Sequence, residues 1–227
     1  MKPVDPEELE FGEGEYLVRI SRTVVEAVFE VGPETVYQTT LDRVGEPSEK
    51  LRRPGASFVT IEHYSNGKRS LRGCIGYIRP IKPLFQSTME VALQAAFSDP
   101  RFPPLTRGEL DKTTFEVSVL SEFEEAPKDV EGRLDFVKIG RDGLYIEHGF
   151  FSGLLLPQVP VEYGWTEEEF LDQTCIKAGL PPSCWRKPEV KVFRFRARLW
   201  RESYPRGPVE ERDLRAEWES IRKKARI

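Results

Sequence analysis

The run Leu71-Arg72-Gly73-Cys74-Ile75-Gly76 places a cation, a thiol and two residues without Cβ inside one short apolar stretch. A thiolate is a nucleophile, and an adjacent cation lowers the pKa of the thiol that forms it. A guanidinium is also a planar fork that matches a carboxylate or phosphate. Glycine inside a strand marks a bulge, or a place where a ligand or another segment approaches the backbone closely. The run therefore locates a site: Arg72 is a candidate anion clamp, and Gly73 and Gly76 are candidate points of close approach. Cys74 is either a nucleophile or a small buried side chain that lines the site.

Each of these residues also has an ordinary reading. Arg72, in a strand that should be half-buried, needs a partner. That partner is an acid such as Asp99 or Glu116, or it is the anion of a ligand. Asp99 and Arg101 lie on Asp99-Pro100-Arg101-Phe102-Pro103-Pro104-Leu105, a loop stiffened by three prolines, so they join the candidate ligand-binding set; Asp99 also suits a turn. Glu116 alternates away from Phe115, Val117 and Val119, and is either a site residue or a solvated one.

A catalytic thiol needs a base, and the chain has two histidines, His63 and His148. If Asn66-Gly67 forms a two-residue hairpin turn, Ile61 faces Arg72 and Val59 faces Cys74. His63 then shares a face with Cys74 but lies four residues along the ribbon, roughly 13 Å away, too far for a Cys–His pair. No Cys-x-x-Cys or His-Glu-x-x-His spacing is present, so no metal or cofactor is expected. Gly12-Glu13-Gly14 is no phosphate loop, since no strand precedes it.

The elements that must position these residues follow from periodicity. Apolar side chains from Leu17 to Val31 recur at helical spacing and predict a helix over 16–31. The stretch 32–55, with Pro33, Pro47 and Pro54, reads as a connector. Ser57–Tyr64 and Arg69–Ile78 read as strands joined by Asn66-Gly67, the strongest short hairpin signal. Leu84–Ala96 predicts a second helix, and Thr113–Ser121 a strand. A second hairpin is expected with its tip at Gly140-Arg141-Asp142-Gly143. Thr166 and Glu169 form a capping-box pattern that opens a helix stopped at Gly179. Val190–Tyr204 alternates as a long strand, with Arg194, Arg196, Arg198 and Trp200 on one face. Val209–Ile227 reads as a polar helix with acids first and bases last. Hairpins mixed with separate helices define an α+β fold with antiparallel sheets.

The 227 residues carry 34 basic and 38 acidic side chains, a net charge of −4. A chain-wide affinity for nucleic acid is not indicated, because phosphate binding needs a concentrated positive surface. The Arg194–Arg198 row is the one candidate patch, and acids such as Glu202 lie close to it. No apolar run reaches membrane-spanning length, and the acidic start is no secretory signal. A cytoplasmic, reducing setting is expected. Three cysteines are too few for a disulfide framework; a Cys175–Cys184 bridge is left open, because the cytosols of some heat-adapted organisms hold disulfides.

With its neighbours, the Cys74 run resembles the AMMECR-type domain family. The likeness rests on Leu71–Gly76, on Asp99 with Arg101–Leu105, and on Glu109-Leu110. It extends through Glu116–Leu120, Gly140 with Asp142-Gly143, and Leu155–Val159 leading to Trp165. It spans residues 10–205 and leaves 206–227 as a helical extension. The resemblance implies two unequal α+β subdomains, each with an antiparallel sheet and flanking helices, separated by a groove that the six-residue run faces. The larger subdomain would be built from both chain ends. The family's activity is unsettled, and its suggested links are to basic cellular machinery and to Memo-like and radical-SAM proteins. Two functions follow as expectations. One is a groove binding a small anionic ligand, with thiol chemistry at Cys74 as an extension. The other is a non-enzymatic adaptor that holds a peptide or protein partner in the groove, or a weak nucleic-acid-associated role in basic cellular machinery.

Overall fold

A computed structural model of the chain describes residues 1–225. In chain order the elements are α1 (Phe11–Ala27), α2 (Val36–Val44), β1 (Ala56–Ser65), β2 (Lys68–Gly76), α3 (Leu84–Phe97), β3 (Thr113–Leu120), β4 (Glu124–Glu125), α4 (Val130–Phe136), β5 (Asp142–His148), β6 (Phe151–Leu155), α5 (Gln158–Tyr163), α6 (Glu167–Lys177), β7 (Lys191–Glu202), β8 (Val209–Glu211) and α7 (Leu214–Ala225). The fold is α+β with antiparallel strand pairing. No helix among the described residues is long and apolar enough to cross a membrane.

The chain divides into two units. The larger comprises Met1–Leu120 and Arg198–Arg212, and the second comprises Ser121–Ala197 and the tail from Asp213. In the larger unit the strand order is β2-β1-β3-β7, with β8 paired to β7. One face of this sheet carries Val59, Ile61, Phe115, Val117 and Val119, all fully buried in a core with Leu17, Ile20 and Val24 of α1 and Val91 and Ala92 of α3. Alternation along β1 and β3 sends Thr60, Glu62, Thr114, Glu116 and Ser118 to the opposite face. That polar face holds the candidate site.

The β1–β2 hairpin turns at Asn66 (φ 51°) and Gly67 (φ 76°), the two positive φ values of a type I′ turn. The expected pairs Tyr64–Arg69 and His63–Ser70 form, but then the register shifts. Glu62 faces Leu71, whereas Ile61 faces Gly73, so Arg72 is the extra residue of a β-bulge. Cys74 therefore pairs with Thr60 and not with Val59. One residue of slip moves it to the other face of β1 from that expected. His63 now lies on the face opposite Cys74.

Other expectations change for local reasons. α1 begins at Phe11 because Glu10 and Glu13 form a reciprocal cap, and it ends at Ala27, before Val31. The connector contains α2. The tail begins as a strand: β8 pairs with Trp200–Glu202. α7 follows only after Asp213 caps it through the Ala216 amide. Residues 226 and 227 of the expected helix lie outside the described residues.

In the second unit, β7 pairs with β5 on one edge and β4 on the other, and β6 pairs with β5. The hairpin here is β5–β6, turning at Gly149 (φ 60°), not at Asp142-Gly143. Residues 130–136 are helical. The fully buried carboxylate of Asp142 accepts from the Lys138 amide and from Arg141, which closes a tight turn ahead of β5. The Thr166–Glu169 capping box opens α6 as expected, and Gly179 follows it at φ 77°. Cys175 and Cys184 form a disulfide with Cα atoms 5.8 Å apart.

Candidate ligand site around Cys74

The site grows from the edge strand β2. Neither Gly73 nor Gly76 leaves an opening. A Cβ on Gly73 would lie 2.1 Å from the Ala95 carbonyl oxygen of α3, and one on Gly76 would lie 2.2 Å from the Phe58 ring. Both glycines thus answer the second of the two sequence readings, close approach of another segment. They let α3 and β1 pack against β2, and the space beside each is filled by protein.

The bulge sets Cys74 directly across from Thr60, whose hydroxyl donates to the thiol sulfur at 3.3 Å. Thr60 in turn faces Glu116 of β3. The row Cys74–Thr60–Glu116 crosses three strands on the polar face. Glu116 is buried and paired with the buried Arg212 at 2.9 Å. Glu62, diagonal to Glu116, takes a bond from Arg69 at 3.2 Å, and Arg69 also donates to Thr114. Burial raises the Glu62 pKa, and the charge of Glu116 adds to the rise.

Asp99 and Arg101 grip the outer edge of β2. The buried Asp99 carboxylate accepts from the Cys74 amide at 2.9 Å and from the Arg101 guanidinium at 2.6 and 2.9 Å. Arg101 donates onward to the Cys74 carbonyl at 3.2 Å. The bonds from Arg101 hold the Asp99 carboxyl far below the usual carboxylate range, and the bond from the Cys74 amide adds to this. Unpaired strand-edge groups invite foreign strands; here Asp99 and Arg101 occupy them.

Arg72 pairs with neither Asp99 nor Glu116. As the bulged residue it reaches Glu109 at 2.7 and 3.3 Å, and this bond brings the Glu109 carboxyl down to about 2. Glu109 also closes the Thr106 capping box, so one carboxylate serves a turn and a guanidinium together. The guanidinium carbons of Arg72 and Arg101 lie 5.8 and 5.5 Å from the centroid of the same Phe102 ring.

Cys74 keeps part of its surface exposed, yet burial pushes its thiol up to about 11. Its sulfur is therefore a neutral thiol at neutral pH. The structure brings Cys74, Asp99 and Arg101 into direct contact, sets Glu116 one strand beyond Thr60, and gathers Arg72 and Arg101 at Phe102. Sequence reading missed Thr60, Glu62, Glu109, Arg69 and Arg212. Thr106 and Glu109 stand at capping-box spacing in the sequence, but the bond of Glu109 to Arg72 depends on the bulge. Among the described residues no group of three or more His, Cys, Asp or Glu side chains could hold a metal. The expected arginine row is largely committed: Arg194 to Glu124 and the Phe136 ring, Arg198 to Glu211 and the Trp200 ring.

The fold and this motif strand define an α+β protein of two units with a cysteine on a polar sheet face. The AMMECR1 family profile matches residues 18–200, and the chain belongs to that family. A protein of Aeropyrum pernix is 49% identical over 215 residues, covering 95% of this chain and 90% of its own. Protein TK0174 of Thermococcus kodakarensis is 51% identical, covering 88% and 96%. The crystal structure of the uncharacterized protein PH0010 from Pyrococcus horikoshii superposes with a TM-score of 0.81 at 42% identity, covering 91% of this chain and 99% of that one.

Proposed function

We propose that the polar sheet face around Cys74 recognises a small anionic ligand, with Arg72 and Arg101 as its cations and Cys74 as a neutral thiol lining the site. The observation that carries this reading is the gathering of two guanidinium groups at one Phe102 ring, each oriented by a single carboxylate. A guanidinium bonded through two of its nitrogens is pre-aimed and retains N–H donors for an anion. Three facts favour a lining role for Cys74 over nucleophilic attack. Its thiol is raised to about 11, its sulfur accepts from the Thr60 hydroxyl, and His63 lies on the other face of β1. Asp99 positions Arg101 and the Cys74 backbone, and Glu116 with Arg212 forms the floor.

Native mass spectrometry tests this reading. Purified protein is exposed to a small-molecule cell extract, as wild type and as Arg72→Gln and Arg101→Gln. An acidic adduct on the wild type that both variants lose is the expected result. No adduct, or one that both variants keep, overturns the reading.

One observation favours a second reading, in which a peptide or protein partner docks: Leu71 is 44% exposed on the edge strand β2. Memo-like and radical-SAM proteins are the partner classes that the family resemblance implies. Leu71→Asp would abolish such docking and leave a small acidic adduct in place.

A further inference from the structure

The larger unit contains a cleft whose lining includes no residue of the Leu71–Gly76 run. This open cleft of about 620 Å³ is lined by one helical stripe of α1, by the end of α2 and by the connection between β7 and β8. That volume lies within the range of small-molecule sites. Four arginines from these three elements line it, Arg19, Arg22, Arg43 and Arg206, with three glutamates. A polar helix stripe is ordinarily just solvated, but here it forms the wall of a cleft.

The arginines differ in how far they are spent. Arg22 is buried and saturated: it donates to both Glu202 carboxylate oxygens, to Glu26 and to the carbonyls of Leu110 and Thr113. It is the floor. The other three are from 42% to 65% exposed. Arg19 holds Glu15 through one nitrogen, and Arg43 holds Glu30 through one nitrogen. Arg206 reaches Glu26 at 2.7 Å and Asp111 at 3.1 Å. Arg43 enters the cleft from the end of α2 and Arg206 from the connection between β7 and β8. Every lining glutamate is thus paired with a lining arginine, and Arg43 and Arg206 each also hold a carboxylate outside the lining, Glu30 and Asp111. Tyr16, anchored by its hydroxyl to the Gly45 carbonyl at 2.8 Å, supplies an aromatic wall. Val44 and Val209 add apolar surface.

We infer that this cleft binds a soluble phosphate ester of nucleotide size, with its phosphate on Arg43 and Arg206 and its body against Tyr16. Unspent guanidinium N–H groups converging from separate elements suit the tetrahedral oxygens of a phosphate. The partly exposed ring and the two valines suit a flat or apolar body.

Isothermal titration of the intact protein with AMP, inorganic phosphate and adenosine tests the inference. Saturable binding of AMP is expected, with phosphate weaker and adenosine weaker still. Arg43→Ala and Arg206→Ala should each weaken AMP by at least about tenfold. Both side chains are surface-exposed, so the variants should keep the wild-type melting temperature, and Arg43→Lys should recover part of the affinity. Arg72→Gln, in the other site, should leave AMP affinity unchanged. The inference is overturned if AMP does not bind, if adenosine binds as tightly as AMP, or if both alanine variants bind AMP like the wild type.

Discussion

The carboxylate of Asp99 accepts a hydrogen bond from the amide of Cys74 at 2.9 Å, across the outer edge of β2. The same carboxylate holds Arg101, which returns to the Cys74 carbonyl. The two charged residues of the proline loop thus close the backbone bonds that a neighbouring strand would otherwise make. The loop and the motif strand form one unit, which is why Arg101 stands beside Cys74.

Asp99→Asn keeps the shape of this clamp and removes its charge. It should cost about 1–3 kcal/mol, read as a lower urea midpoint with an unchanged slope. The folded carboxyl lies well below its unfolded value. Its contribution is therefore fully present above pH ~4 and is lost as pH falls below that. The gap in stability between wild type and variant should shrink in acid. A constant gap from pH 7 down to pH 2 would reject a charged clamp.

Cys74 should alkylate slowly. A thiol raised to about 11 holds about a hundredfold less thiolate at pH 8 than an unburied one. Iodoacetamide modification, followed by intact mass against pH, should climb steeply only above pH 10. A plateau reached near pH 8 would show an activated thiolate and revive nucleophilic chemistry at this position.

The Cys175–Cys184 bridge closes a short loop within the second unit, with both residues buried. Chain entropy assigns such a bridge about 2–3 kcal/mol. Without reductant, unfolded protein should take up one alkyl group, at Cys74. After full reduction it should take up all three. Cys175→Ser with Cys184→Ser should lower the melting temperature. Uptake of three groups in unreduced, denatured protein would show that the bridge does not form.

Gly73→Ala pushes a methyl group against the Ala95 carbonyl. Overpacking against a backbone atom should cost about 1–3 kcal/mol. Gly12→Ala in α1 meets nothing within 4 Å and should stabilise by up to about 1 kcal/mol, because alanine loses less entropy in a helix. Thermal melts of the two variants should move in opposite directions. If Gly73→Ala melts like the wild type, α3 does not approach β2 as closely as described.

Much of the α+β fold was legible in the residues themselves. Asn66-Gly67 dictated a turn because both residues accept positive φ, and Thr166 with Glu169 marked the start of α6 because a cap needs only three residues of spacing. The alternation of Phe115, Val117 and Val119 defined the buried face of β3. These signals act between residues close in sequence, so the chain carries them without its fold. The bulge at Arg72 depends on how β1, β2 and α3 pack together. That single extra residue decided that Cys74 faces Thr60, that His63 faces away, and that Arg72 meets Glu109. The buried pairs Arg22–Glu202 and Glu116–Arg212 likewise join residues far apart in sequence. An ion pair between separate elements has no spacing rule, so only the tertiary structure could choose its partners.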